Sequence, residues 1–302
     1  MALYSYRNAS PPVCNISAQW SLDISKTLDA ALAELQRQLS EENIQPLDDA
    51  YYEESHQRFE GVSNQRYLIR EYLKAVIAEK AEVKGGPIEW LSIGCGAGHL
   101  DLPILQSSNR EISRYVGIEP NQTHVDIFAE SAADRENVTL IRSMLETASL
   151  MGTFDLITAI HVIYYADEPA AFVEAAFSHM KNDGTAVFAV APLSPMNRIA
   201  TLFWEQQSVR PIFADDLERL FMTTGKRFTR TRIDAAIPLS LYAGTTADRA
   251  VIDFTVQAPT GDLTSSTLTA LETVFNAASV PFDDALGLEH PVDMFSVSGL
   301  EK

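Results

Sequence analysis

The stretch Trp90-Leu-Ser-Ile-Gly94-Cys-Gly96-Ala-Gly98-His-Leu-Asp101 decides the fold. Its apolar start, continuous with Ile88, reads as a buried strand over Ile88–Ile93. Three glycines then fall at alternate positions. They let the backbone turn sharply and bring main-chain N–H groups close to a ligand with no Cβ in the way. The spacing is G-x-G-x-G rather than the G-x-G-x-x-G of a dinucleotide site. A short helix through Leu105 follows.

Working outward, strand and helix alternate. Strands are expected at Arg114–Glu119, Val138–Arg142, Phe154–Ile160 and Thr185–Val190, with helices at Gln122–Asp134 and Asp167–Met180. Such alternation predicts a parallel sheet with helices on both faces. Upstream, Leu22, Ile24, Leu28, Ala31, Leu32, Leu35 and Leu39 make one apolar helical stripe. Three uses of that stripe are open: ordinary core, a lid over a pocket, or a contact with a second subunit. A second helix is expected from Asn64 to Lys80, with Tyr67, Leu68, Leu73, Val76 and Ile77 on its apolar face. Residues 1–20 read as an irregular arm. Downstream, helices are expected near Arg198–Gln206 and Asp215–Thr224, and strands near Arg230–Ile237 and Met294–Ser298. Between those strands a helical insertion covers roughly Thr246–Val256 and Ser265–Ala278.

Glu119 ends the second strand, 21 residues after Gly98. A carboxylate there can accept both hydroxyls of a ribose. Glycine loop and acid together point to a nucleoside-type cofactor. The fourth strand, beginning at Asp155, which reads as structural, delivers Ile160 and His161 to the carboxyl end of the sheet. Open α/β sheets bind ligands at that end.

The totals bound the function. A chain of 302 residues suits one large α/β domain with an appended cap. Acids outnumber bases 41 to 23, for a net charge of −18. No basic footprint for a phosphate backbone is evident beyond the loose Lys226, Arg227, Arg230, Arg232 group, so nucleic acid is not the expected partner. No apolar run approaches the roughly 20 residues that cross a bilayer, and Met1–Trp20 lacks a signal-peptide pattern, so the expected location is the cytoplasm. Two cysteines, Cys14 and Cys95, make neither a disulfide framework nor a metal cluster. Cys95 reads as a small filler.

These segments resemble class I S-adenosylmethionine-dependent methyltransferases, and most of all the histamine N-methyltransferase branch. The likeness runs through Leu91–Gly98 with Asp101-Leu102, Glu119-Pro120, Tyr164-Tyr165, Asp215–Leu217 and, more faintly, Tyr52 to Phe59. It implies a Rossmann-like fold with a seven-stranded, mostly parallel sheet. Residues 1–45 would be an N-terminal arm and amphipathic helix. Residues 46–302 would form the methyltransferase domain, with substrate-cap elements at about 46–80 and 194–285. The cofactor would be S-adenosylmethionine, leaving as S-adenosylhomocysteine, with no metal. Gly94, Gly96, Gly98, Glu119, Pro120, His124, Thr147 and Ile160 would hold it. Tyr52, Phe59, Gln65, His161, Tyr164, Tyr165, Trp204 and Phe254 would line the acceptor pocket, and His161 and Tyr164 would serve catalysis, His161 as the candidate acid or base. The sequence departs from the branch at its acceptor-binding glutamate, which falls on Gln65, and at a glutamine, which is His161. A C-terminal asparagine has Asp293 as its nearest polar candidate. A small-molecule amine is the first expectation. Methylation of oxygen or carbon on a secondary metabolite, or cofactor binding without transfer, are the alternatives. A monomer, or a homodimer through the N-terminal helix, is expected.

Overall fold

The computed structural model describes residues 18–108, 110–244 and 247–299, with side chains in the first helix from Thr27 onward. The expected arm lies largely outside the described residues. In chain order the elements are α1 (Ala18–Leu39), α2 (Asp49–Val62), α3 (Gln65–Lys84), β1 (Ile88–Ile93), α4 (Asp101–Ser107), β2 (Ile112–Ile118), α5 (Gln122–Ser131), β3 (Val138–Ile141) and β4 (Phe154–Ile160). They continue with α6 (Pro169–Ser178), β5 (Met180–Val190), α7 (Pro195–Gln206), α8 (Ala214–Thr224), β6 (Phe228–Ile233), β7 (Ala236–Pro238), α9 (Arg249–Val256), α10 (Ser265–Ala277), β8 (Ser279–Phe282), β9 (Ala285–Glu289) and β10 (Val292–Ser298).

Seven strands form the main sheet in the order β3-β2-β1-β4-β5-β10-β6. β10 runs antiparallel to both its neighbours, and the remaining pairs are parallel. Side chains alternate across it, as the pleat requires. Leu91, Ile93, Val116 and Ile157 face Phe172 and Val173 of α6 and Phe221 of α8. Trp90, Tyr115, Leu156 and Val187 face Ile69, Leu73 and Ile77 of α3 and Phe128 of α5. The strand order reverses between β1 and β4, so a crevice opens at their carboxyl ends.

A third core joins α1, α7, α9 and α10, with Leu35, Leu39, Ile199, Phe203, Val251 and Phe275 fully shielded. The apolar stripe of α1 from Leu28 to Leu39 is spent here, packed within its own chain against α10 and α7. That places the Leu28–Leu39 part of the stripe in ordinary core. A small antiparallel sheet, β7-β9-β8, flanks this cap.

Three expectations change. The segment Asp49–Val62 is a helix, α2, that the sequence reading did not set apart. On α3 the buried face turns on Ile69, Leu73 and Ile77, while Tyr67 is 57% exposed. The single strand expected over Arg230–Ile237 divides after Ile233, its two parts pairing in different sheets.

Candidate active site

At the glycine loop all three glycines have left-handed φ: 68° at Gly94, 54° at Gly96 and 78° at Gly98. Their surroundings differ. A Cβ on Gly94 would sit 2.1 Å from Val162 Cγ1, and one on Gly98 would sit 2.7 Å from the Phe128 ring. A Cβ on Gly96 would meet nothing within 4 Å. Gly94 and Gly98 therefore let the loop pack, and Gly96 offers an open backbone face. Cys95, between them, has its thiol pushed well up by burial, with Asp101 and Glu119 adding to the effect, so it fills space as a protonated thiol.

Glu119 follows β2 and folds back over this loop. Its Oε2 accepts Gly96 N–H at 3.0 Å, and its Oε1 accepts Asn121 N–H at 3.0 Å. A carboxylate has about four acceptor positions. Two are spent on the backbone, which fixes the group's orientation, and two are left for a vicinal diol. His124, in the first turn of α5, places Nδ1 3.6 Å from Glu119 Oε1 and Nε2 3.7 Å from Glu53 Oε2 of α2. Pro120 follows directly on Glu119, and Ile160 ends β4 beside Ala189. Thr147 closes the turn after β3, its hydroxyl 3.0 Å from Ser143 Oγ. Open main chain, oriented carboxylate and neighbouring carboxyl strand ends fit the adenosyl cofactor that the sequence implies.

Beneath the loop lies a buried support. Tyr115 donates to Asp101 Oδ2 at 2.6 Å. Burial raises the Asp101 carboxyl to about 6, although hydrogen bonds from Ser92 and Tyr115 pull it down. Asp155 belongs to the opposite end of the sheet, where it accepts Glu89 N–H and pairs with Lys84 and Lys181.

Beside the crevice, α2 brings a row of rings against α9. Phe254 lies 5.5 Å from Tyr52, 5.0 Å from His56 and 4.8 Å from Phe59, centroid to centroid. Phe59 meets His290 edge-on at 4.8 Å. The Tyr52 and Tyr165 hydroxyls touch at 2.8 Å, tying α2 to the loop after β4. Trp204, in contrast, pairs with Phe213 at 6.3 Å and joins no ring of this group among the described residues.

A continuous polar chain crosses the floor. Tyr164 Oη accepts Ala191 N–H at 2.6 Å and lies 3.2 Å from His161 Nδ1. His161 Nε2 lies 2.9 Å from Gln65 Oε1, and Gln65 Nε2 donates to the His290 carbonyl at 2.7 Å. Because that carbonyl only accepts, the Gln65 amide orientation is fixed, and His161 must donate from Nε2. Its Nδ1 then accepts the Tyr164 hydroxyl proton. Burial holds the His161 imidazole below its ordinary value, against an upward pull from Glu60. His161 also has φ 55°, a left-handed geometry uncommon outside glycine, and its N–H is bonded to Ala189 O at 3.0 Å.

Gly94, Gly96, Gly98, Glu119, Pro120 and His124 thus gather around one loop, and ring contacts and hydrogen bonds link Tyr52, Phe59, Tyr165 and Phe254 on one side and Gln65, His161 and Tyr164 on the other. Asp293 lies elsewhere: it is fully buried in β10 under Arg230 and Arg232, which corrects its candidacy for the pocket. The polar residue at that wall is His290, in the turn before β10. The sequence reading missed it, along with His56, Glu60 and Glu53. Positions 52, 56 and 59 share one helical face, a signal that was present; an irregular turn such as that of His290 carries none. Among the described residues no group of three or more His, Cys, Asp or Glu converges to hold a metal ion, and no helix is long and apolar enough to cross a membrane.

No curated protein matches the chain in sequence. Among solved structures it is similar to the plantazolicin methyltransferase BpumL, solved with SAH, at 11% identity and TM-score 0.51, covering 92% of this chain and 100% of that one. It is also similar to a protein from Bacillus halodurans C-125 assigned as a methyltransferase, at 12% identity and TM-score 0.50, covering 74% of this chain and 99% of that one. Both likenesses are of fold. A methyltransferase-domain family model matches residues 63–227, more than half of the chain and the whole span from α3 to the end of α8. With that match joined to the seven-stranded sheet and the loop-and-carboxylate site, the chain belongs to the class I S-adenosylmethionine-dependent methyltransferases.

Proposed function

We propose that this enzyme methylates a small-molecule acceptor at an amine nitrogen, using S-adenosylmethionine bound by Gly94–Gly98 and Glu119. The observation that carries the cofactor half is the Glu119 carboxylate, pinned by Gly96 and Asn121 N–H with two acceptor positions free. When bound, the cofactor supplies an electrophilic methyl group on a sulfonium. The enzyme's task is to hold a nucleophile about 3 Å from that carbon, in line with the breaking bond. Tyr52, Phe59 and Phe254 supply apolar walls that exclude water, and tyrosine faces favour the positive charge of sulfonium and methylated product.

The floor favours nitrogen over oxygen. A neutral amine brings its own lone pair, whereas a hydroxyl needs a base to take its proton. His161 Nδ1 is the one unprotonated imidazole nitrogen of the floor network, and Tyr164 caps it. His161 and Tyr164 therefore act by position: they brace the strand end against Gln65 and Ala191. Incubating the protein with methyl-labelled S-adenosylmethionine and matched amine and phenol acceptors tests this. Label on the amine supports the reading; label on the phenol alone, or none at all with cofactor bound, refutes it.

A further inference from the structure

Gln65 opens α3, is 2% exposed, and sets its amide between His161 Nε2 at 2.9 Å and the His290 carbonyl at 2.7 Å. Turning that amide over would press two oxygens together at the carbonyl, so its NH2 faces the carbonyl and its Oε1 faces the ring. The sense of the next two bonds follows. His161 donates from Nε2 to Gln65, which leaves Nδ1 of the neutral ring as a bare lone pair. Tyr164 Oη, 3.2 Å away, fills it with its only proton. The same oxygen accepts Ala191 N–H at 2.6 Å. A hydroxyl oxygen has two lone pairs, so one is left. Every proton of the chain has an acceptor, and reversing a link strands a donor or opposes two acceptors. Burial favours this neutral ring; His56 adds to the effect and Glu60 works against it.

Tyr164 is 36% exposed, and its hydroxyl joins the carboxyl ends of β4 and β5, because Ala191 follows directly on β5. Two residues back, Val162 packs on the glycine loop: a Cβ on Gly94 would lie 2.1 Å from its Cγ1. At that edge the sense of a hydroxyl matters to the chemistry. An amine attacks through its lone pair, and an O–H donor would occupy that pair. An oxygen that only accepts takes an amine N–H and leaves the pair free. We propose that Gln65 is a positioning residue for methyl transfer: by fixing which nitrogen of His161 carries the proton, it turns the Tyr164 hydroxyl proton inward, so that Tyr164 meets the acceptor molecule only as a hydrogen-bond acceptor and selects an amine with at least one N–H. This rests on the methyltransferase reading and narrows its substrate class to primary and secondary amines. In the transfer the nitrogen lone pair forms the new N–CH3 bond and the S–CH3 electron pair returns to sulfur. The product leaves as an ammonium that loses its proton to water.

The test uses the full chain saturated with S-adenosylhomocysteine, whose own titration is recorded first. Long-range 15N correlation of the imidazoles, with His161 assigned by its loss in His161→Asn, reports the tautomer in wild type and in Gln65→Met, which keeps the side-chain length and removes the amide. Aniline and N,N-dimethylaniline, both uncharged near neutral pH, then serve as probes with and without an N–H. Their binding is followed by ligand-observed NMR on wild type, Gln65→Met and Tyr164→Phe. The expected results are Nε2 protonation in wild type, a shift toward Nδ1 protonation in Gln65→Met, and aniline preferred by about tenfold in wild type. That preference is expected to disappear in both variants while S-adenosylhomocysteine affinity holds. Should Gln65→Met not fold, the wild-type tautomer and the comparison with Tyr164→Phe still decide. Nδ1 protonation in wild type, an unchanged tautomer in Gln65→Met, a preference that survives Tyr164→Phe, equal or tighter dimethylaniline binding, or no aniline binding overturns the proposal while the cofactor reading stands. Failure of S-adenosylhomocysteine to bind wild type would instead strike the methyltransferase reading itself.

Discussion

At the scale of single residues, the three loop glycines separate into two kinds. Gly94→Ala drives a methyl into Val162 at 2.1 Å and Gly98→Ala drives one into the Phe128 ring. Both are expected to lose folded protein, read as a fall in thermal midpoint. Gly96→Ala meets open space and bears only the left-handed backbone cost of about 1–2 kcal/mol; it is expected to fold and to bind S-adenosylhomocysteine more weakly by calorimetry. His161 separates strain from chemistry in the same way. Asparagine tolerates its φ of 55°, so His161→Asn keeps the backbone and loses the ring's two bonds. Turnover is expected to fall roughly 10–100-fold with S-adenosylhomocysteine affinity unchanged; matched losses in both would mark the ring as scaffold. The glycine pattern and Glu119 were legible in the sequence because a turn against a strand constrains residue type at fixed spacing. The His161 tautomer and the sealed Gln65 were not, since they depend on residues brought together across 225 positions, as in the Gln65–His290 bond.

At the scale of elements, α2 reaches the crevice through two contacts: Tyr52 to Tyr165, and Glu53 toward His124. These contacts bridge the cap and the crevice while contributing little buried surface, Tyr165 being 64% exposed. Tyr165→Phe removes one hydroxyl contact worth about 1 kcal/mol. The expected outcome is a KM for the acceptor raised about fivefold; an unchanged KM would show that the contact does not serve the acceptor site. The Rossmann-type elements were readable because apolar runs of strand length alternate with amphipathic helices. α2 escaped because its sequence, DAYYEESHQRFEGV, is polar over most of its surface, and only Phe59 of its rings enters the core. β7, β8 and β9 are short and carry Pro238, Pro281 and Gly287, so their pairing is a tertiary result.

At the scale of the whole molecule, α7, α9, α10 and the small sheet share a core that reaches back to α1. Leu35 is wholly shielded there, and Leu35→Ala is expected to cost about 2–5 kcal/mol, read by chemical denaturation. Global stability also carries the buried titratable groups. His290, neutral in the fold with its pKa lowered to about 3, contributes stability that is present above the unfolded histidine value and is lost as pH falls toward 3. Asp101, raised to about 6, works the other way: its contribution is full below the ordinary aspartate value and is lost as pH rises through 6. Asp101→Asn is therefore expected to flatten the decline in stability between pH 4 and pH 6, a change of about 3 kcal/mol for a two-unit shift, seen in urea midpoints across pH. An identical profile in the variant would remove Asp101 as the cause.

The central claim is that backbone at Gly96 and the carboxylate of Glu119 together grip an adenosyl cofactor, and calorimetric titration of S-adenosylhomocysteine into wild type and Glu119→Gln tests it most directly. The account predicts one molecule bound by wild type and an affinity about 10–100-fold weaker in the variant, with circular dichroism unchanged. No binding by wild type, or equal affinity in the two proteins, would contradict it.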